Sequence, residues 1–256
     1  MKPRTEELLY FLLWSADQFA RPSFRNLTDS FEGWAYRNGF LRQLQKLEAR
    51  KVLERQVGGA VDAIYRLSES GRLLALGGRD PVAQWNRPWD GQWRLVTFDL
   101  PESKASARVK LRRFLKANHF GYLQKSVWIS PDPLGHITTH LSASAKDVES
   151  LITLEARPAA GETNADIVTG AWDFKRINQL YENCQNILRE LPPIKAGIGK
   201  AASELQHWAR LERIAWQEAV SADPLLPEEL LPAGYLGQTA WRERIRRFVQ
   251  ASGLIG

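Results

Sequence analysis

Residues 89–130, WDGQWRLVTFDLPESKASARVKLRRFLKANHFGYLQKSVWIS, constrain the fold more than any other stretch of the chain. Over 93–98 the side chains alternate, with Trp93, Leu95 and Thr97 on one side and Arg94, Val96 and Phe98 on the other. That period of two marks a strand, and it ends on a carboxylate, Asp99. A basic amphipathic helix is predicted over 105–118, carrying Val109, Leu111, Phe114 and Leu115 among Arg108, Lys110, Arg112, Arg113 and Lys116. Two short strands follow near 121–124 and 127–129. A helix predicted over 146–156 and a strand over 166–170 then complete a β-α-β-β-α-β unit, the ferredoxin-like arrangement. Strand, helix and strand in succession also suit a small Rossmann-like unit. No G-x-G-x-x-G is present, however, so a dinucleotide site has no support.

The flanking segments set the context. The chain has 256 residues, enough for one to three domains with a real core. Its formal charge of +6 is a mild excess that favours anionic partners. A single cysteine, Cys184, excludes an internal disulfide framework and fits a reducing compartment. The apolar run at 8–14 is too short to span a membrane and follows two glutamates rather than a basic segment. A cytoplasmic location with no membrane partner is the expectation. The segment 77–91, rich in Gly, Pro, Asn and Asp, reads as a linker. Beyond Asp173 the pattern is mostly helical, interrupted at 191–193 and 223–237.

The N-terminal part reads as three helices and a hairpin. Thr5 suits the cap of a helix that starts with Glu6 and Glu7, and a short second helix is expected near 29–37. In the third helix, 40–50, Leu41, Leu44 and Leu47 lie on one side, while Arg42, Lys46 and Arg50 fall at i, i+4 and i+8 with Gln43 and Gln45 at their flanks. Like charges at that spacing weaken an isolated helix by a few tenths of a kcal/mol, roughly. Phosphates are the obvious compensation, and Arg and Gln also suit base edges in a major groove. Strands at 52–56 and 61–67 then flank Gly58-Gly59, with Arg55 near the tip. Between residues 37 and 55 six basic side chains stand against two acidic ones. This is the order of a winged helix-turn-helix, whose third helix enters the major groove and whose wing touches the backbone or the minor groove. The bland alternative is a helical bundle with an ordinary solvated charged face.

Other candidate sites are thinner. Asp99, at a strand end beside a basic helix, is the candidate metal ligand of a phosphodiesterase; equally, it caps the turn into Pro101-Glu102 or anchors a dimer contact. One carboxylate makes a poor magnesium site without partners. His136 and His140 have the spacing of a helical metal pair but no visible third ligand. Ser126 and Ser130 lack a hydrolase context. The arginines at 242, 244, 246 and 247 suit a second anionic contact or a solvated helix face packed through Trp241, Ile245, Phe248 and Val249. No resident metal and no cofactor are expected.

Two resemblances bear on these readings. The run Val96-Thr97-Phe98-Asp99-Leu100, the basic helix after it, and Gln124-Lys125-Ser126-Val127-Trp128 resemble the small ferredoxin-fold nucleases of CRISPR spacer acquisition. That likeness would make Asp99 a metal ligand. The second resemblance covers nearly the whole chain. Residues 219–237, AVSADPLLPEELLPAGYLG, contain a proline-pinned loop whose leucines need a groove to fill. Together with Trp89-Asp90-Gly91-x-Trp93, Phe98-Asp99-Leu100-Pro101-Glu102 and Ala171-Trp172-Asp173, they resemble the PaaX family of phenylacetate-catabolism repressors.

The PaaX resemblance implies an α+β protein in three parts. These are a winged helix-turn-helix DNA-binding domain at 1–78, a ferredoxin-like α/β sandwich for dimerisation and connection at 89–172, and a helical, effector-related domain at 173–256. It further implies a non-enzymatic homodimer that binds palindromic double-stranded operator DNA and is released by an acyl-CoA thioester such as phenylacetyl-CoA. Arg42, Gln43 and Lys46 would read DNA, with Gln45 and Arg50 in support and Arg55 on the wing. Asp99 would then be structural, and no residue of the effector pocket is assigned.

Overall fold

The computed structural model describes residues 41–57, 63–99, 105–135, 150–192 and 198–252. The helices expected before residue 38, the hairpin tip, and His136 with His140 lie outside them. Elements are numbered here in chain order among the described residues. The architecture is mixed: helices together with one two-stranded and one four-stranded sheet, an α+β protein. The chain forms two compact units. One comprises the residues up to Asp80 with Asn178–Ser221 and Leu236–Gly256; the other comprises Pro81–Ile177 with Ala222–Tyr235.

In the first unit, α1 (Leu41–Ala49) leads into the antiparallel pair β1 (Leu53–Val57) and β2 (Ala63–Leu67), then α2 (Glu69–Ala75). The end of α1 is a two-bond C-cap. Lys51 takes a left-handed φ of 56°, its N–H donates to the Glu48 carbonyl at 2.9 Å, and the Val52 N–H donates to the Leu47 carbonyl at 3.0 Å. Glycine usually fills that position, so a lysine there is held at some conformational cost. Leu47 and Leu53 are buried on either side of this turn.

The C-terminal helices complete that unit: the later part of α6 (Phe174–Arg189), α7 (Ile198–Ala222) and α8 (Gly237–Ser252). Tyr181, Cys184 and Leu188, spaced one helical turn apart, are all buried. The chain leaving α2 rests on α7. Trp216 Nε1 donates to the Leu76 carbonyl at 3.2 Å. At Gly77 (φ 91°) an added Cβ would stand 3.3 Å from Val220 Cβ, so only glycine combines that conformation with so close an approach.

The second unit is built on an antiparallel sheet ordered β4-β5-β3-β6, with β3 at Trp93–Asp99, β4 at Gly121–Gln124, β5 at Val127–Ser130 and β6 at Ser150–Ala156. The first strand of the unit lies between the third and the fourth, the order expected of a ferredoxin-like sheet. Helix α4 (Ala105–Ala117) covers one face. There Val96, Phe98, Ala107, Leu111, Leu115, Phe120 and Trp128 form the core, with Phe114, Leu134 and Leu151 at its edge.

Two expectations are corrected here. Residues 150–156 form a strand rather than a helix, pairing along their whole length with β3. Leu151 reaches the core, while Ile152 and Leu154 lie exposed. Residues 164–171 form a helix, α5 (Asn164–Ala171), rather than a strand. Thr163 and Asp166 make a reciprocal capping box at its start, which ties down the free N–H groups of the first turn. The four-stranded sheet is complete nonetheless, because β6 supplies the strand expected further on.

The segment read as a linker is also more structured than expected. It contains a short helix, α3 (Pro81–Trp85), and a tight turn. In that turn Asp90 grips the Arg94 guanidinium with both carboxylate oxygens. The Arg94 contact holds the Asp90 carboxyl at about 2, below its ordinary 3.8. The Arg94 side chain also donates to the Pro131 carbonyl at 3.2 Å. Trp89 Nε1 donates to the Gln92 carbonyl at 2.9 Å, and its ring lies 5.3 Å from that of Trp93. The Trp-Asp-Gly-x-Trp string is thus a structural turn. The proline-pinned loop is structural as well: Leu225 and Leu226 are buried, and the Asp223 carboxylate accepts from the Leu225 N–H and the Tyr235 hydroxyl. Trp85 Nε1 donates to the Tyr235 oxygen at 3.1 Å, and Arg87 pairs with Asp132 through two hydrogen bonds.

Close packing at Gly121 gives the second unit a sensitive point. A Cβ there would sit 2.7 Å from both Ala171 Cβ and Trp172 Cε2. Gly121→Ala is expected to destabilise the protein by about 1–3 kcal/mol, because neither a helix end nor an indole flanked by Trp93 retreats freely. Chemical denaturation of the variant against the unchanged protein measures this; an unaltered midpoint would mean the α5 end is free to shift.

Candidate nucleic-acid interface

Helix α1 divides its residues by chemistry. Leu47 is fully buried, while Arg42, Gln45, Lys46 and Arg50 are exposed. The basic residues recur one turn apart, so they share one side of the helix. Gln43 lies in the same helix. Arg55 lies in β1, where its backbone partner across the hairpin is Tyr65. The helix and the hairpin are thus consecutive, joined by the three-residue turn through Lys51.

Ser68 holds that turn, and its role is not evident from composition. Its N–H and hydroxyl both donate to the Val52 carbonyl, at 3.0 and 3.1 Å. Its oxygen also accepts the Gly71 N–H at 3.1 Å as the N-cap of α2. One buried serine therefore joins the exit of the basic helix, the end of the hairpin and the start of α2. The signal available in sequence is the S-E-S-G run after a strand, a recognisable N-cap.

The alternative site is less developed. Asp99 is the exposed last residue of β3, opposite Ser150 in the sheet register. Among the described residues there is no group of three or more His, Cys, Asp or Glu that could hold a metal ion. Cys184 is buried and its thiol is pushed up to about 12 by that burial, the opposite of an activated nucleophile. The arginines of α8 are mostly committed: Arg246 and Arg247 both pair with Glu243, and Arg244 is buried against Glu212. No described helix is long and apolar enough to cross a membrane.

Two family profiles match the chain beyond residue 85. Residues 86–168 match the profile described as "PaaX protein central Cas2-like domain". Residues 172–251 match that described as "PaaX-like protein C-terminal domain". A Cas2-like sheet unit continued by this helical region defines the class. The chain belongs to the PaaX family. It is 30% identical over 188 residues to the "Transcriptional repressor PaaX" of Escherichia coli (strain K12), an alignment that takes in 70% of this chain and 58% of that protein. The fold is also seen in a solved structure of an uncharacterised protein from Mycobacterium tuberculosis. That likeness has a TM-score of 0.52 at 22% identity and covers 85% of this chain and 82% of the other.

Proposed function

We propose that the protein is a ligand-responsive, DNA-binding transcriptional repressor of the PaaX type. The observation that carries this reading is α1: Arg42, Gln45, Lys46 and Arg50 lie exposed on a helix whose Leu47 is buried, directly before a β-hairpin. In this reading residues 1–78 are a winged helix-turn-helix. Arg42, Gln43 and Lys46 read the major groove, Gln45 and Arg50 support them, and Arg55 meets the backbone from the wing. Residues 89–172 are a ferredoxin-like connector through which two copies pair, and 173–256 are the effector-related region. The protein works in the cytoplasm as a homodimer on a palindromic operator. Asp99 has a structural role and catalyses nothing.

Footprinting on the DNA upstream of the protein's own coding sequence tests this. Two protected half-sites about one helical turn apart, or a multiple of it, are expected. Protection spread evenly along the fragment would contradict it.

An acyl-CoA thioester of an aromatic acid, such as phenylacetyl-CoA, is the proposed effector, on a phenylacetate-like pathway. If it binds the native state alone, a concentration 100 times its dissociation constant stabilises the protein by about 2.7 kcal/mol. A rise in melting temperature with the thioester, absent with free coenzyme A and accompanied by release of DNA, is the expected result. No shift with any aryl-acyl thioester would remove this part of the reading.

A further inference from the structure

Helix α4 carries five basic residues and no acidic one. Its apolar face, Ala107, Leu111 and Leu115, is buried in the core of the second unit. Lys110, Arg112, Arg113 and Lys116 are exposed. Among the described residues none of these four has an acidic partner. Arg112 instead donates, at 3.4 Å, to the carbonyl of Lys125, itself an exposed cation in the turn between β4 and β5.

Elsewhere in the second unit two arginines are neutralised: Arg87 pairs with Asp132 and Arg94 with Asp90. On α4, residues 110 and 113, 112 and 116, and 113 and 116 stand at helical i,i+3 or i,i+4 spacing. Each such like-charge pair costs a few tenths of a kcal/mol, roughly. Packing against the sheet keeps the helix folded, but it does not account for the choice of four unopposed cations on the outer face.

We infer that the outer face of α4 is a sequence-independent contact for the phosphate backbone of duplex DNA, separate from the base-reading helix α1. Lys110 to Lys116 spans about 9 Å of helix. Duplex DNA carries one charge per roughly 1.7 Å of axis, so a patch of that length meets several phosphates. Lysine and arginine in a row, with no Asn or Gln among them, suit phosphate oxygens rather than base edges. The inference rests on the repressor reading, since it takes DNA as the partner, but it assigns a second surface in a different unit of the fold.

The test is the salt dependence of DNA binding by the full-length protein, with three forms compared on the same promoter fragment and on random duplex. These are the unchanged protein, the triple variant Lys110→Gln/Arg113→Gln/Lys116→Gln, and the charge-keeping variant Lys110→Arg/Lys116→Arg. The triple variant is expected to bind both DNAs about tenfold or more weakly at low salt. Its plot of log affinity against log salt should be shallower by about 2 to 3, near 0.9 for each phosphate that is no longer neutralised. The charge-keeping variant should match the unchanged protein, and equal melting temperatures would exclude misfolding as the cause. If the triple variant keeps both affinity and slope while the unchanged protein shows specific binding, this inference fails and the repressor reading stands. If the unchanged protein binds neither DNA, both fail.

Discussion

Replacing Arg244 with methionine is expected to destabilise the protein by about 3–5 kcal/mol, a large share of the stability of an ordinary domain. Arg244 is 1% exposed, and its Nε donates to Glu212 Oε1 at 2.7 Å. Glu212 is fully buried. The guanidinium carbon lies 4.6 Å from the Phe248 ring, 4.7 Å from Trp216 and 5.8 Å from Trp241, so aromatic faces hold the cation as well. Methionine keeps most of the volume and removes the charge, leaving a fully buried carboxylate without its cation. The other carboxylate oxygen, Oε2, already lacks a hydrogen-bond partner among the described residues.

A second signature separates this from a simple packing loss. Burial pushes the Glu212 carboxyl upward, and Arg244 draws it back down. Without Arg244 the upward push of burial is opposed by nothing larger than the charge of Arg213, so the folded variant binds a proton more readily than the unfolded chain. Its deficit should therefore shrink as pH falls towards the ordinary carboxyl value of 4.5 and grow as pH rises above it. Denaturant melts at several pH values measure both effects. The double variant Arg244→Met/Glu212→Leu should recover much of the loss, because the stranded charge is gone. A single variant with unchanged stability at neutral pH would show that the pair is solvated in solution.

The second large effect concerns DNA. Arg42→Ala with Lys46→Ala is expected to weaken binding to the protein's own promoter by about 2 kcal/mol or more, roughly thirtyfold. Both side chains are exposed on α1, so the melting temperature should not change. The two losses are expected to differ in kind. A contact to a base edge reduces discrimination between promoter and random DNA, whereas a contact to phosphate weakens both alike and makes the salt slope shallower by about 0.9. Titrations of the two single variants on both DNAs assign each residue its role. Unchanged affinity in the double variant would remove α1 as the reading helix.

The parts legible in the sequence are those with one strong period. Strand β3 and helix α4 show their alternation and their basic amphipathic face openly, and both form close to their expected limits. The turn pair at 121–130 is also plain. In α1 the spacing puts Leu47 on the apolar side and Arg42, Lys46 and Arg50 on another, and the exposure pattern agrees. The exchange of helix and strand between residues 150 and 171 has a specific cause. Residues 150–156, SLITLEA, hold leucines that suit either state, and full pairing with β3 decides for strand. Over 166–170, DIVTG suggests β-branched strand character, but the Thr163–Asp166 capping box, which begins three residues earlier, prevails.

The Arg244–Glu212 pair is not legible because arginine and glutamate read as surface residues unless paired. Ala240, Arg244 and Phe248 share one buried stripe of α8; of the residues the sequence pattern points to, Phe248 is buried, while Trp241 and Ile245 are only half-buried. The partner comes from a different helix, 32 residues away, where no local spacing reveals it. The proline-pinned loop has the opposite fate. Its leucines call for a groove on sequence grounds, and Leu225 and Leu226 are indeed buried.

Sequence-specific DNA binding is tested most directly by titrating the purified protein, at physiological salt, with its own promoter fragment and with random duplex of equal length. Tighter binding to the promoter by about 10³-fold or more is expected, with steep salt dependence on both DNAs. Equal affinity for the two would contradict it.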